Sequence, residues 1–251
     1  GMVGRYVERP EAYKAVNGAL LHAGIHKKTK VSIRYISAEA LETDSEAMNQ
    51  ITDVDAILVP GGFGERGTLG KMKAIQFARE NNKPFLGICL GMQLAVIEYA
   101  RNVLGIEANS TEFDRKTANP IIGLITEWFD EKGELQTRSD DSDLGGTMRL
   151  GAQEAELVSN SKLAEIYGSH NITERHRHRY EMNNRYIEPL ENAGMKISGY
   201  SAKQHLVESV EIDNHPWFVA VQYHPEFTSS PRGGHPLFNS FIKAAIDVKQ
   251  A

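Results

Sequence analysis

The one cysteine of the chain, Cys89, stands in Gly87-Ile88-Cys89-Leu90-Gly91. An apolar run, Pro84 to Ile88, leads into it, and a helical pattern from Leu90 to Arg101 leads out. This is the spacing of a nucleophile elbow, with cysteine as the nucleophile. Glycines flank such a turn because side chains there would collide and because the backbone is strained. The turn lifts the sulfur off the end of a strand and sets it over a helix N-terminus, where free amides and the helix dipole favour a thiolate. The amide of Leu90 would face a carbonyl oxygen as it becomes an oxyanion. A lone cysteine is also a common small core residue, and the glycine framing is what sets this one apart.

A base and an orienting acid are available in His224-Pro225-Glu226, after the apolar run Trp217 to Tyr223. Residues two apart in extended chain share a side, so Glu226 can hold the imidazole of His224. Pro225 fixes its own φ and biases His224 toward extended backbone. Cysteine, histidine and carboxylate are what a thiol triad requires, although a simple turn at a strand end explains this tripeptide equally well. A second glycine turn, Pro60-Gly61-Gly62-Phe63-Gly64, ends the run Asp55 to Val59. It reads as a source of a second oxyanion donor, the amide of Gly62. A phosphate nest is the lesser reading, because no Lys-Ser/Thr pair follows in Walker order.

The elements that must position these groups alternate. Strand-like runs at 31–36, 55–59 and 84–88 are separated by helical patterns at 68–81 and 90–101. Continuous apolar strands between helices predict a parallel sheet covered on both faces. Further on, 121–125, 154–158, 173–182, 195–201 and 206–212 read as strands joined by turns, and 237–248 as a closing helix. Glu131 to Gly146 reads as an exposed polar loop or hairpin tip. The expectation is an α/β fold: a mostly parallel central sheet flanked by helices, with antiparallel additions, in one domain over residues 1–251. The 251 residues carry 41% hydrophobic and 24% charged side chains and a net charge of -5. That composition suits a globular protein and argues against a nucleic-acid binder or an anionic-membrane binder. One cysteine permits no internal disulfide and predicts a reducing, cytoplasmic setting, and no segment is apolar enough to span a bilayer. The first residues read as a short strand rather than a signal peptide.

Taken together, the elbow, the glycine turn and the His-Pro-Glu tripeptide resemble the class I, triad-type glutamine amidotransferases. Longer strings narrow the resemblance: Gly87 to Gln93, Asn109 to Phe113, Asp143 to Gly151, Glu174 to Glu181 and His215 to Ala220 are similar to the C-terminal glutaminase domain of the CTP synthase family. The resemblance runs from about Val3 to Ala245. It implies that Cys89 is the nucleophile, His224 the base and then acid, and Glu226 the orienting carboxylate. It implies an oxyanion hole from Gly62 and Leu90, and L-glutamine as substrate. Arg179 would meet the substrate's α-carboxylate and Glu112 its α-ammonium. Gly62, Leu90, Gly91, Met92 and Gln93 would line the side-chain pocket. In that family the ammonia passes to an N-terminal amidoligase, or synthetase, domain that aminates UTP to CTP. That domain, with its ATP and Mg, is not in this sequence. GTP as an allosteric effector and a homo-oligomeric full-length enzyme are implied by the resemblance alone. No cofactor is expected in this domain.

Glu174 to Glu181 alternates arginine with His176 and His178, which places the two histidines on one strand face. No third ligand stands at useful spacing, so local pairing is the expectation and no metal is assigned. Two other functions fit the same residues: a γ-glutamyl or peptide cysteine hydrolase of the same fold, and a non-catalytic regulatory module. Glu112 and Arg179 separate the first from a glutaminase, because together they demand a free α-amino acid.

Overall fold

The computed structural model describes residues 1–124 and 148–250, and between them the backbone of residues 127–129 and 135–137. From the start of the chain, β1 (Met2–Gly4) leads through α1 (Lys14–His26), β2 (Tyr35–Ser37), α2 (Ala38–Thr43) and α3 (Asn49–Thr52) to β3 (Ile57–Val59). Then come α4 (Thr68–Glu80), β4 (Phe85–Ile88), α5 (Leu90–Asn102), β5 (Ala108–Ser110), β6 (Asn119–Leu124), β7 (Glu127–Phe129) and β8 (Leu135–Thr137). The remainder runs β9 (Arg149–Leu157), α6 (Lys162–Tyr167), β10 (Asn171–His178), β11 (Tyr180–Met182), α7 (Ile187–Asn192) and β12 (Met195–Ser201). It ends with β13 (Val207–Ile212), β14 (Phe218–Val221) and α8 (Pro236–Gln250).

Nine strands form one sheet in the order β10-β9-β12-β13-β14-β4-β3-β1-β2. From β14 to β2 neighbours pair in parallel, and from β10 to β14 they pair antiparallel. The antiparallel additions therefore equal the parallel part in number of pairings. Burial follows the pairing. The central strands β3, β4 and β14 are buried at every residue, whereas the edge strand β10 alternates exposed and buried. That is the difference between a strand covered on both faces and one covered on a single face. Within β3, Ile57 and Val59 enter one apolar cluster with α4 and α5, while Leu58 enters another with α1 and α8. The period of two thus places core on both sides of the sheet.

Several elements differ from their sequence reading. The strand expected over 31–36 shrinks to Tyr35–Ser37. The strand expected over 173–182 breaks at Arg179: β10 stays in the large sheet, and β11 pairs with β6 in a separate three-stranded sheet. Helix α1 escapes the sequence reading because Asn17, Gly18 and Gly24 dilute its pattern. Its buried Val16, Ala19, Leu20 and Ala23 pack with Leu237, Phe238, Phe241 and Ile242 of α8. The polar loop expected over 131–146 lies outside the described residues apart from the backbone of β8, which pairs with β7 as a hairpin. Among the described residues no helix is long and apolar enough to cross a membrane.

Candidate active site

Strands β3, β4 and β14 are adjacent, parallel and in register: Val59 pairs with Gly87, and Ile88 with Val221. Their carboxyl ends therefore deliver the glycine turn, Cys89 and the segment to His224 to one edge of the sheet, where open α/β folds bind ligands. Cys89 takes φ 52° and ψ -106° immediately before α5. A left-handed φ on a residue other than glycine stores roughly 1–3 kcal/mol of strain. The bend is held by the Cys89 amide, which donates to the carbonyl of Val221 at 2.8 Å. Both framing glycines are obligatory on steric grounds. A Cβ on Gly91 would lie 2.2 Å from the Val59 carbonyl oxygen, and one on Gly87 2.9 Å from the backbone of Gly91. Leu90 opens α5, so its amide has no carbonyl four residues back within the helix.

His224 reaches the same place from β14. Its amide donates to the carbonyl of Arg175 on β10 at 2.8 Å, and its Nδ1 donates to Oε1 of Glu226 at 2.7 Å. Phe227 stacks on the imidazole with ring centroids 5.1 Å apart. With Nδ1 committed, Nε2 is left buried without a well-formed hydrogen bond, and the sulfur of Cys89 is the group it faces. Burial alone would lower the His224 pKa. Contact with Cys89 and Glu226 and their negative charges outweigh it and push the value up to about 10. The meeting point is marked by Gly61. A Cβ there would lie 2.8 Å from Cε1 of His224 and 3.4 Å from Cβ of Cys89, so all three crowd one spot. Gly62, next along, has the Leu90 side chain at 3.5 Å from the equivalent position, so the glycine turn lies against the start of α5. The far end of the turn is pinned twice: the Gly64 amide donates to Oε1 of Glu112 at 2.8 Å, and Arg5 donates to the Phe63 carbonyl at 2.7 Å. A thiol at a strained strand-to-helix turn beside a carboxylate-held imidazole is a constellation for acyl transfer.

The profile of the family described as glutamine amidotransferase class-I matches residues 10–244. The chain belongs to the class I glutamine amidotransferases. It is 71% identical over 245 residues to a CTP synthase of Acinetobacter baylyi, covering 97% of this chain and 45% of that protein. The chain therefore spans a little under half the length of that relative. The glutaminase domain of Trypanosoma brucei CTP synthase, solved with bound acivicin, superposes with a TM-score of 0.88 at 38% identity, over 98% of this chain and 92% of that one. This amidotransferase is thus a homologue of the CTP synthase glutaminase domain. A glutamine amidotransferase from Thermotoga maritima shares the fold alone, with a TM-score of 0.52 at 13% identity over 98% of this chain and 95% of that one.

The other expected residues of this amidotransferase fall as follows. Glu112 is half-buried beside the glycine turn, and burial raises its pKa against the opposing Gly64 hydrogen bond. Arg179 sits at the break between β10 and β11, within electrostatic reach of Tyr180, as is Glu112. Gln93 is buried and donates to the Tyr180 carbonyl at 3.0 Å and to Oε1 of Gln222 at 3.2 Å. Gly91 packs against β3, and the side chain of Met92 is fully buried in the α4–α5 core, so neither offers a side chain to the site. His176 and His178 pair with each other at 2.8 Å, and no group of three metal-ligating side chains converges among the described residues.

Some participants were not legible in advance. Gln222 donates to the Cys89 sulfur at 3.7 Å; its place two residues before His224, on the same side of an extended chain, was the available signal. Behind β10 lies a buried charge cluster. Arg149 contacts Glu208 at 2.6 Å and Glu181 at 3.1 Å, and His178 lies 3.2 Å from Glu181. Burial, then Arg149 and His224, lower the pKa of His176 to about 3. Burial raises that of Glu181 to about 8 despite Arg149. No local spacing links Arg149 with Glu208; only the sheet order joins them.

Proposed function

We propose that this chain hydrolyses L-glutamine to glutamate and ammonia through Cys89, His224 and Glu226. The observation that carries the reading is the convergence of Cys89 and His224 on Gly61 with Glu226 at 2.7 Å from Nδ1. With Nδ1 held, Nε2 is the nitrogen that exchanges a proton with sulfur. The thiolate attacks the side-chain amide carbon of glutamine. The oxygen of the tetrahedral intermediate takes the amides of Gly62 and Leu90, each worth roughly 3–4 kcal/mol in such sites. His224, now imidazolium, gives its proton to the departing ammonia and leaves a γ-glutamyl thioester. A water then loses a proton to His224 and attacks the thioester carbon, which releases glutamate and restores the thiol. Glu112 and Arg179, with opposite charges beside Tyr180, suit the α-ammonium and α-carboxylate of a free amino acid.

Ammonia formed here is meant, on this reading, for an amidoligase domain that aminates UTP to CTP in the cytoplasm. ATP and Mg belong to that domain, and none of the residues named above is assigned to them. GTP is the effector to be added in the assay. The test measures ammonia release from glutamine by this chain alone, and again with a separately produced amidoligase half, with and without GTP. Release that Cys89→Ala abolishes is the expected result. Preference for γ-glutamyl peptides over glutamine would replace this reading with a peptide hydrolase. An electrophilic glutamine analogue that leaves Cys89 unmodified by mass spectrometry would replace it with a docking module.

A further inference from the structure

Lys71 lies in the first turn of α4 and is only 2% exposed. Among the described residues its ammonium has neither a hydrogen-bond acceptor nor an ion-pair partner. A buried cation without a counter-charge is rare, because desolvation costs several kcal/mol unless an anion compensates it. The ammonium is 3.7 Å from the position a Cβ on Gly62 would take, directly behind the glycine turn, and Cys89 is among the groups that act on its charge. The other charges that face it do not neutralise it. Arg5 repels it and is spent on the Phe63 carbonyl, while Glu39, on α2, is already bound to Arg66. Nothing in the packing of α4 demands a lysine there, since the flanking Met72, Ala74 and Ile75 are apolar and buried.

We propose that Lys71 is an electrostatic positioning residue of the glutaminase centre, whose ammonium, seated behind Gly62, favours negative charge on the Cys89 sulfur and on the oxyanion held at Gly62 and Leu90. The inference rests on the thiol-triad reading above. The Cys89 sulfur is the negative charge within its reach at rest, and the oxyanion at Gly62 and Leu90 adds a second during the reaction. A fixed charge inside a protein interacts over this range far more strongly than in water and needs no reorganisation when the anion appears. Burial, then Arg5, lowers the Lys71 pKa to about 8, with Glu39 and Cys89 opposing, so the cation disappears on mild alkalinisation.

The test compares wild type, Lys71→Met and Lys71→Arg. Glutamine hydrolysis and the rate of Cys89 modification by an electrophilic glutamine analogue are followed against pH. Lys71→Met should lower both rates on the order of tenfold near neutrality. Wild type should lose activity as pH rises through about 8, where Lys71 deprotonates. Lys71→Arg, which keeps its charge, should retain most activity and lack that decline. Glutamine's own ammonium titrates identically in all three proteins, so the difference between their profiles isolates residue 71. Lys71→Met rates equal to wild type at every pH would overturn the proposal. So would an alkaline decline unchanged in Lys71→Arg, a readout that survives if Lys71→Met fails to fold. A wild-type chain that neither hydrolyses glutamine nor labels at Cys89 would instead overturn the triad reading beneath it.

Discussion

Gly61→Ala is the sharpest probe of the assembled site. The added methyl would lie 2.8 Å from Cε1 of His224 and 3.4 Å from Cβ of Cys89. Carbon atoms rest at roughly 3.5–4.0 Å, so the imidazole must retreat by about 0.7–1.2 Å. It has nowhere to go without loss: Phe227 stacks on the ring, and Glu226 holds Nδ1 at 2.7 Å. A displacement of that size typically costs about a hundredfold in rate. The overpacking itself costs about 1–3 kcal/mol, which a core of this size tolerates. Gly62→Ala is the matched control. Its methyl would meet Leu90 at 3.5 Å and Lys71 at 3.7 Å, ordinary contacts, and its amide remains. The assay is kcat and KM for glutamine at neutral pH, with thermal unfolding recorded on the same samples. Gly61→Ala should lose about a hundredfold in kcat while remaining folded, and Gly62→Ala less than about tenfold. Equal activities in the two variants, or a Gly61→Ala enzyme within about threefold of wild type, would mean that the spot shared by Cys89 and His224 is not where the reaction occurs.

Other expectations follow from the same geometry. Cys89→Ala should abolish hydrolysis and keep cooperative unfolding, whereas Cys89→Gly, freed from φ 52°, should be more stable than Cys89→Ala by about 1 kcal/mol in denaturant titration. Arg179→Ala should raise KM for glutamine with little change in kcat; an unchanged KM would remove it from the pocket. The His224 pKa of about 10 lies above the ordinary imidazole value of 6.5, so its protonation stabilises the fold fully below pH 6.5, and this contribution is lost as pH climbs from there through about 10. Denaturant midpoints should therefore fall over that window, and less steeply in Glu226→Gln. Arg149→Met leaves Glu181 and Glu208 buried without their cation and should cost about 3–5 kcal/mol, read from the same titrations.

What the sequence made legible is what short-range geometry controls. The elbow needs only Gly87, Cys89 and Gly91 within five residues, and the steric gaps at both glycines show why no other residue serves. His224 and Glu226 are legible for the same reason, because extended backbone puts residues two apart on one side. The break at Arg179 was not legible, since the alternation of residues 174–181 continues through it while the pairing partner changes from β9 to β6. Helix α1 was hidden by its glycines, and its burial is decided by α8, more than 200 residues away. Lys71 and the Arg149 cluster carry no local pattern at all: a lysine in an amphipathic helix reads as solvated until the neighbouring glycine turn is folded over it.

The change in sheet type across β14 accounts for where the chemistry sits. On one side, parallel strands bring their carboxyl ends to a common edge, which supplies Cys89 and the glycine turn. On the other, four antiparallel pairings leave β10 running in the same sense as β14, and it offers the Arg175 carbonyl to the amide of His224. A purely parallel sheet would leave the segment after β14 as an unsupported loop. Here it is fastened from β10, and Glu174 of that strand also accepts from Thr228 at 3.2 Å, two residues beyond Glu226. The imidazole is therefore fixed by the antiparallel half, and the sulfur it serves by the parallel half. Their alignment depends on the register of β14 against β4, which pairs Val221 with Ile88. A one-residue slip of that register would turn every side chain of β14 to the opposite face, and because Phe218 to Val221 are apolar and buried on both sides, it is the fit of each side chain in its own half of the core that holds His224 beside Cys89.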